Sequence, residues 1–134
     1  MAIFAVLVGV GLFMTMDSFR SYLSRSERDT IVSELQSARS SAMANLYQVP
    51  WGVCYDGTDY VIFRTSYVAG ASTNQATAAS TNATVTSTSN QFSCTTGGII
   101  FTQLSGATTA TTITIVQNAK TQTVTTNNEG TIIW

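Results

Sequence analysis

The first sixteen residues, Met1 to Met16 (MAIFAVLVGVGLFMTM), carry no charge. The segment that follows, DSFRSYLSRSERDTIVSELQSARSSAMANL, has the spacing of an amphipathic helix with charges of both signs, and continues the helical phase without a break. Such a chain needs two environments at once: something apolar around its front and a globular head against its second helical half. Sixteen residues at 1.5 Å each give ~24 Å, short of a hydrocarbon core of ~30 Å. A basic leading region and an A-x-A cleavage site are both missing, so the stretch does not read as a signal peptide.

The expected organisation is a hydrophobic stem over residues 1–18, an amphipathic helix over 19–48 and a β-rich head over 49–134. One helix should run from about Met1 to Tyr47. Ile31, Leu35, Ala38, Ala42 and Leu46 follow steps of three and four along one narrow face, suited to close packing on a sheet. Arg25 and Asp29 stand at i,i+4 and are expected to pair. Pro50 closes the helical segment, because the residue before a proline is biased away from helix.

From Trp51 the period changes to two. Trp51–Tyr55 and Tyr60–Tyr67 read as strands around the turn Asp56-Gly57-Thr58-Asp59. Residues 69–91 (AGASTNQATAASTNATVTSTSNQ) form a low-complexity tract that cannot supply a core, and read as a long exposed loop. Gly97-Gly98 leads into the Ile99–Phe101 run. Thr112–Gln117 and Thr121–Thr125 flank a turn at Asn118-Ala119-Lys120, with apolar residues alternating with threonine, and Thr131–Trp134 follows a last turn. The fold class is α+β: a long N-terminal helix whose C-terminal half covers an antiparallel β head. Trp51 and Trp134 are expected in the core or at a subunit interface.

Charge narrows the function. Eleven of the thirteen charged residues lie between Asp17 and Arg64, none lies between Thr65 and Ala119, and the net charge is −1. A head kept soluble by hydroxyls and amides suits an exported or assembled protein. Lys120 alone is cationic beyond Arg64, too little for the several phosphate contacts nucleic acid binding requires. There is no histidine for a triad and no phosphate-binding glycine loop, and Asp56 and Asp59 are ordinary turn residues. No enzyme activity, cofactor, metal or small-molecule substrate is expected.

Cys54 and Cys94, if paired, close a loop of about 40 residues worth ~4 kcal/mol; the alternative is two independent buried thiols. An extracytoplasmic composition favours the pair. Asn82-Ala83-Thr84 fits the N-glycosylation spacing, and hydroxyls between Ser72 and Ser89 suit O-linked sugars, against the alternative of an unmodified flexible loop.

In the order of its elements the chain resembles the type IV pilin superfamily, and within it H-class minor pilins and type II secretion pseudopilins. The stem with Gly9, the phrase VSELQSARSSAMANLYQVPWGVCYDG and the tail GGIIFTQLSG…EGTIIW carry the likeness across nearly the whole chain. Pilins place a glutamate shortly after the first residue, and none stands here. Aligning Gly9 and Phe19 with the glycine and aromatic of pilins puts five residues, the glutamate among them, ahead of Met1. The alternative is a mature first residue at Met1 in a subunit without that glutamate.

The resemblance implies a structural subunit of a type IV pilus-like extracellular filament, with Ile3, Phe4, Val6, Leu7, Val10, Leu12 and Phe13 in the filament core. It also implies a melting segment between Gly9, Gly11 and Asp17, where many pilins carry a kinking proline. Partners are then copies of itself and other pilins, with an inner-membrane pool before assembly and the cell surface as destination. The alternatives are a minor pseudopilin of a type II secretion system and a DNA-uptake minor pilin. A stem burying on the order of 1,000 Å² is worth ~25 kcal/mol against exposure to water, which excludes a free monomer.

Overall fold

A computed structural model describes residues 2–134, without the side chains of residues 2–5, 7, 13 and 14. Helix α1 spans Ala2–Met43 and is followed by a 3-10 turn at Leu46–Gln48. The strands are β1 (Trp51–Tyr55), β2 (Asp59–Arg64), β3 (Gln75–Ala78), β4 (Ala83–Ser87), β5 (Ile99–Phe101), β6 (Thr111–Gln117), β7 (Lys120–Thr126) and β8 (Ile132–Ile133). They form two four-stranded antiparallel sheets, in the orders β3-β2-β1-β5 and β4-β6-β7-β8. The architecture is α+β, with the second half of α1 packed on β1 of one sheet and on β6 and β7 of the other.

The helix meets both sheets through Ile31, Leu35, Ala38 and Ala42, all fully buried. Alanine at the last two positions brings backbone close to backbone. Two-residue periodicity then sorts the first sheet. Val53, Tyr60 and Ile62 point into the core beneath the helix, while Cys54, Val61 and Phe63 form a second cluster with Cys94 on the opposite face. This explains why β1 and β2 are apolar at successive residues: both faces are covered. The second sheet is buried on one face only, through Ile113, Ile115 and Val124, and its alternating threonines point outward.

Four expectations are corrected. The helix stops at Met43 rather than Tyr47, because Asn45 turns into the left-handed region (φ 55°) and the amide of Leu104 takes up the carbonyl of Ala42. Leu46 therefore leaves the helical face and is exposed. Residues 69–91 are not one loop, since they contain β3 and β4, an edge strand of each sheet. Their small side chains supply little core, yet their backbones complete the ladders beside β2 and β6, and β-branched threonine suits that role. Asp29 pairs with its neighbour Arg28 (2.8 Å) rather than Arg25, because Arg28 is held against the second sheet by Gln122 (3.3 Å). The strand expected to reach Tyr67 ends at Arg64.

Candidate functional site: a projecting apolar stem

The feature that sets this molecule apart is the front half of α1. At 42 residues the helix is ~63 Å long, and the first fully buried side chain among those described is Ser24. Val6, Val8, Val10, Leu12, Met16, Phe19 and Tyr22 are all more than half exposed, and at 100° per residue they point to nearly every side of the helix. An apolar stripe would call for one neighbour. Apolar surface all round calls for complete enclosure. Of the residues expected in a filament core, Val6, Val10 and Leu12 project in this way, and the side chains of Ile3, Phe4, Leu7 and Phe13 lie outside those described. Among the described residues, no helix is long and apolar enough to cross a membrane.

The segment proposed to melt, Gly9 to Asp17, is helical in the single chain. A Cβ at Gly9 or Gly11 would meet nothing within 4 Å. Thr15 turns its hydroxyl back to the carbonyl of Gly11 at 2.6 Å, in competition with the helical ladder. Asp17 lies 3.1 Å from Lys120 Nζ at the β6–β7 turn, which steadies the stem where it leaves the head. The carboxylate is 71% exposed, so the pair contributes little energy.

The head is fastened to the helix by a buried carboxylate that sequence reading did not single out. Glu27 Oε1 accepts the Tyr60 hydroxyl at 2.6 Å and the Ser80 amide at 3.0 Å. Burial, and then the hydrogen bond to Glu27, push the Tyr60 phenol far above its ordinary pKa. The signal available in the sequence was one acid on a helical face otherwise lined by Ser24, Ile31 and Leu35. On the far face of the first sheet, Cys54 and Cys94 are joined by a disulfide across 40 residues. Gly98 lies beneath it with φ 73°, where a Cβ would come within 2.7 Å of both Val53 O and Cys54 Cβ.

Asp56 and Asp59 shape a turn. Asp56 Oδ1 accepts from the Thr58 amide (2.9 Å), the Thr58 hydroxyl (3.0 Å) and the Asp59 amide (2.7 Å). Burial pushes this carboxyl up, but hydrogen bonds from the Asp59 and Thr58 backbone outweigh it, and the pKa falls below its ordinary value. Asn82 and Thr84 are exposed at the start of β4, open to modification. Trp51 is buried and donates its indole N–H to Leu46 O, whereas Trp134 is 57% exposed beside a groove of about 670 Å³ between α1 and β8. Among the described residues, no group of three His, Cys, Asp or Glu side chains stands where it can hold a metal ion.

Comparison with known proteins agrees with this geometry. The family model of the type II transport protein GspH matches residues 27–130, the head from β1 to β7 together with most of the part of α1 that packs on it. No curated protein and no solved structure matches. The resemblance to H-class pseudopilins seen in the sequence is the same likeness reached from the other side, and on the extent of that match the chain belongs to the family of the type II transport protein GspH.

Proposed function

We infer that this chain is a pseudopilin of a type II secretion filament, held in the inner membrane before assembly and built into the filament through α1. The observation that carries the reading is the pairing of a GspH-family head with a stem apolar on every side. Extracted from lipid, such a stem finds equivalent surroundings only among other stems, at ~25 cal/mol for each Å² kept from water. The chain's role is structural: it binds other pilin-like subunits and performs no chemistry of its own.

A surface pilus subunit is the second reading. It is favoured by the uncharged head surface, since no charge falls between Thr65 and Ala119. The family match weighs toward secretion. DNA capture has least support: Lys120 is paired with Asp17 and no other cation lies beyond Arg64.

Deleting the gene and measuring two outputs separates these readings. Loss of exported proteins from the medium with surface fibres intact identifies the secretion filament. Loss of the fibres with export intact identifies the pilus. If the full chain is never recovered with other pilin-like subunits after cross-linking in the membrane, both readings fail.

A further inference from the structure

The tripeptide Asn82-Ala83-Thr84 has no part in filament formation through α1. Of the seven asparagines in the chain, Asn82 alone has a serine or threonine two residues on, and the residue between is not proline. Three residues make a short pattern, so their place in the fold decides what they can do.

Residues 79–82 join β3, the outer strand of the first sheet, to β4, the outer strand of the second. This connection is anchored from the inside. The Ala79 amide donates to Thr58 O (2.9 Å), and the Ser80 amide donates to the buried Glu27 Oε1 (3.0 Å). Gln117 Nε2 donates to Ser80 Oγ (2.8 Å), and the Ala83 amide closes the turn on Ser80 O (3.1 Å). So held, the turn presents Asn82 to solvent. Asn82 and Thr84 are exposed, whereas Ala83 and Val85 pack against the core.

The acceptor groups are also unspent. Asn74, in the same tract, commits its side-chain amide to Val68 O (2.8 Å). The Asn82 amide and the Thr84 hydroxyl have no protein partner among the described residues. No charge falls between Thr65 and Ala119, so this surface depends on neutral polar groups for its hydration. The Cys54–Cys94 bridge suits an oxidising compartment outside the cytoplasm. An exposed, anchored acceptor on an exported head is the setting in which asparagine is modified with sugar.

We propose that Asn82 is the acceptor of an N-linked glycan, donated by a sugar activated as a phosphate ester at its anomeric carbon. Asn82 Nδ2 bonds to that carbon while the bond from the carbon to the phosphate oxygen breaks. The phosphate leaves with the electron pair, and one amide proton passes to a base of the transferring enzyme. The proposal rests on export of the head, which the pseudopilin reading supplies, and not on which filament the chain joins. A glycan here stands where two open sheet edges meet, β3 and β4, and hinders other chains from pairing with them.

The test uses the full chain, extracted in detergent from the membranes of its native host. Its intact mass should exceed that of the bare sequence by whole sugar residues, and the peptide bearing Asn82 should carry the excess. Asn82→Gln and Thr84→Ala should each abolish the excess, and Thr84→Ser should retain it. Asn82 makes no side-chain bond in the fold, so Asn82→Gln should keep the parent unfolding midpoint once the parent's sugar is removed. A native chain of bare mass overturns the proposal, as does an excess that survives Asn82→Gln or maps to the serines and threonines of residues 72–89. Recovery of that unmodified chain with other pilin-like subunits leaves the filament reading standing. If a membrane-impermeant amine reagent applied to spheroplasts labels Lys120 only after the inner membrane is opened, export of the head and the glycan fall together.

Discussion

The Tyr60 hydroxyl donates to Glu27 Oε1 at 2.6 Å inside the head, joining β2 to the one acid on the buried face of α1. Because the Ser80 amide donates to the same oxygen, a single carboxylate binds the helix, the first sheet and the β3–β4 connection. Glu27→Ala leaves two buried donors without an acceptor and is expected to cost about 2–3 kcal/mol. Tyr60→Phe keeps the Ser80 bond and should cost less. Denaturant titration of the full chain in detergent orders the two, and an equal or reversed order would contradict this account.

The raised pKa of Tyr60 gives an alkaline signature. Below about pH 10 the phenol is neutral in both folded and unfolded chains, so the full stability is present. As pH rises further the unfolded chain loses the proton and the folded chain does not, and folding is weakened. Tyr60→Phe should flatten that alkaline loss, and stability curves of the two proteins across that range provide the comparison.

At the acid end Asp56 acts with the opposite sign. Its folded pKa is depressed, so its contribution is complete above the ordinary carboxylate range and lost as pH falls through the folded value. Asp56→Asn should shrink the stability difference between about pH 6 and about pH 2. Nuclear magnetic resonance titration of the Asp56 carboxyl checks the direction directly.

Opening the Cys54–Cys94 bridge releases a 40-residue loop that contains β2, β3 and β4. The expected loss is ~4 kcal/mol from loop entropy. Thermal unfolding with and without reductant measures it, and a Cys54→Ser/Cys94→Ser protein as stable as the parent would refute the estimate. Gly98→Ala should be costly for a separate reason, about 2–4 kcal/mol, because the new methyl meets Val53 O and Cys54 Cβ in a left-handed backbone.

Leu12→Asp separates stem from head. Leu12 is 62% exposed and touches none of the core, so the unfolding midpoint of the head should hold within about 0.5 kcal/mol. Membrane retention should fall, since an aspartate in a helix centre costs ~2.5–3.5 kcal/mol on insertion. Fractionation of cells expressing the variant reads out the loss.

Much of the architecture was visible in residue order because it depends on local periodicity. Ile31, Leu35, Ala38 and Ala42 announce a packed helical face, the DGTD turn announces β1–β2, and alternating threonines announce β6–β7. The tract at 69–91 was misread because a strand at a sheet edge needs backbone partners more than apolar side chains, and those partners are the distant strands β2 and β6. The early end of α1 was hidden similarly: Asn45 turns where Leu104, far along the chain, donates its amide to the Ala42 carbonyl.

Residue order by itself determined that the chain has an uncharged helical front, a polar helix continuous with it and a β-rich head with two cysteines, because hydrophobic periodicity and charge are properties of neighbouring residues. Only the tertiary structure decided that Glu27 is buried against Tyr60, that Arg64 packs against the rings of Tyr47 and Trp51, and that the strands divide into two sheets. Those arrangements depend on which residues remote in sequence share a face, and they form only when the core closes around the helix.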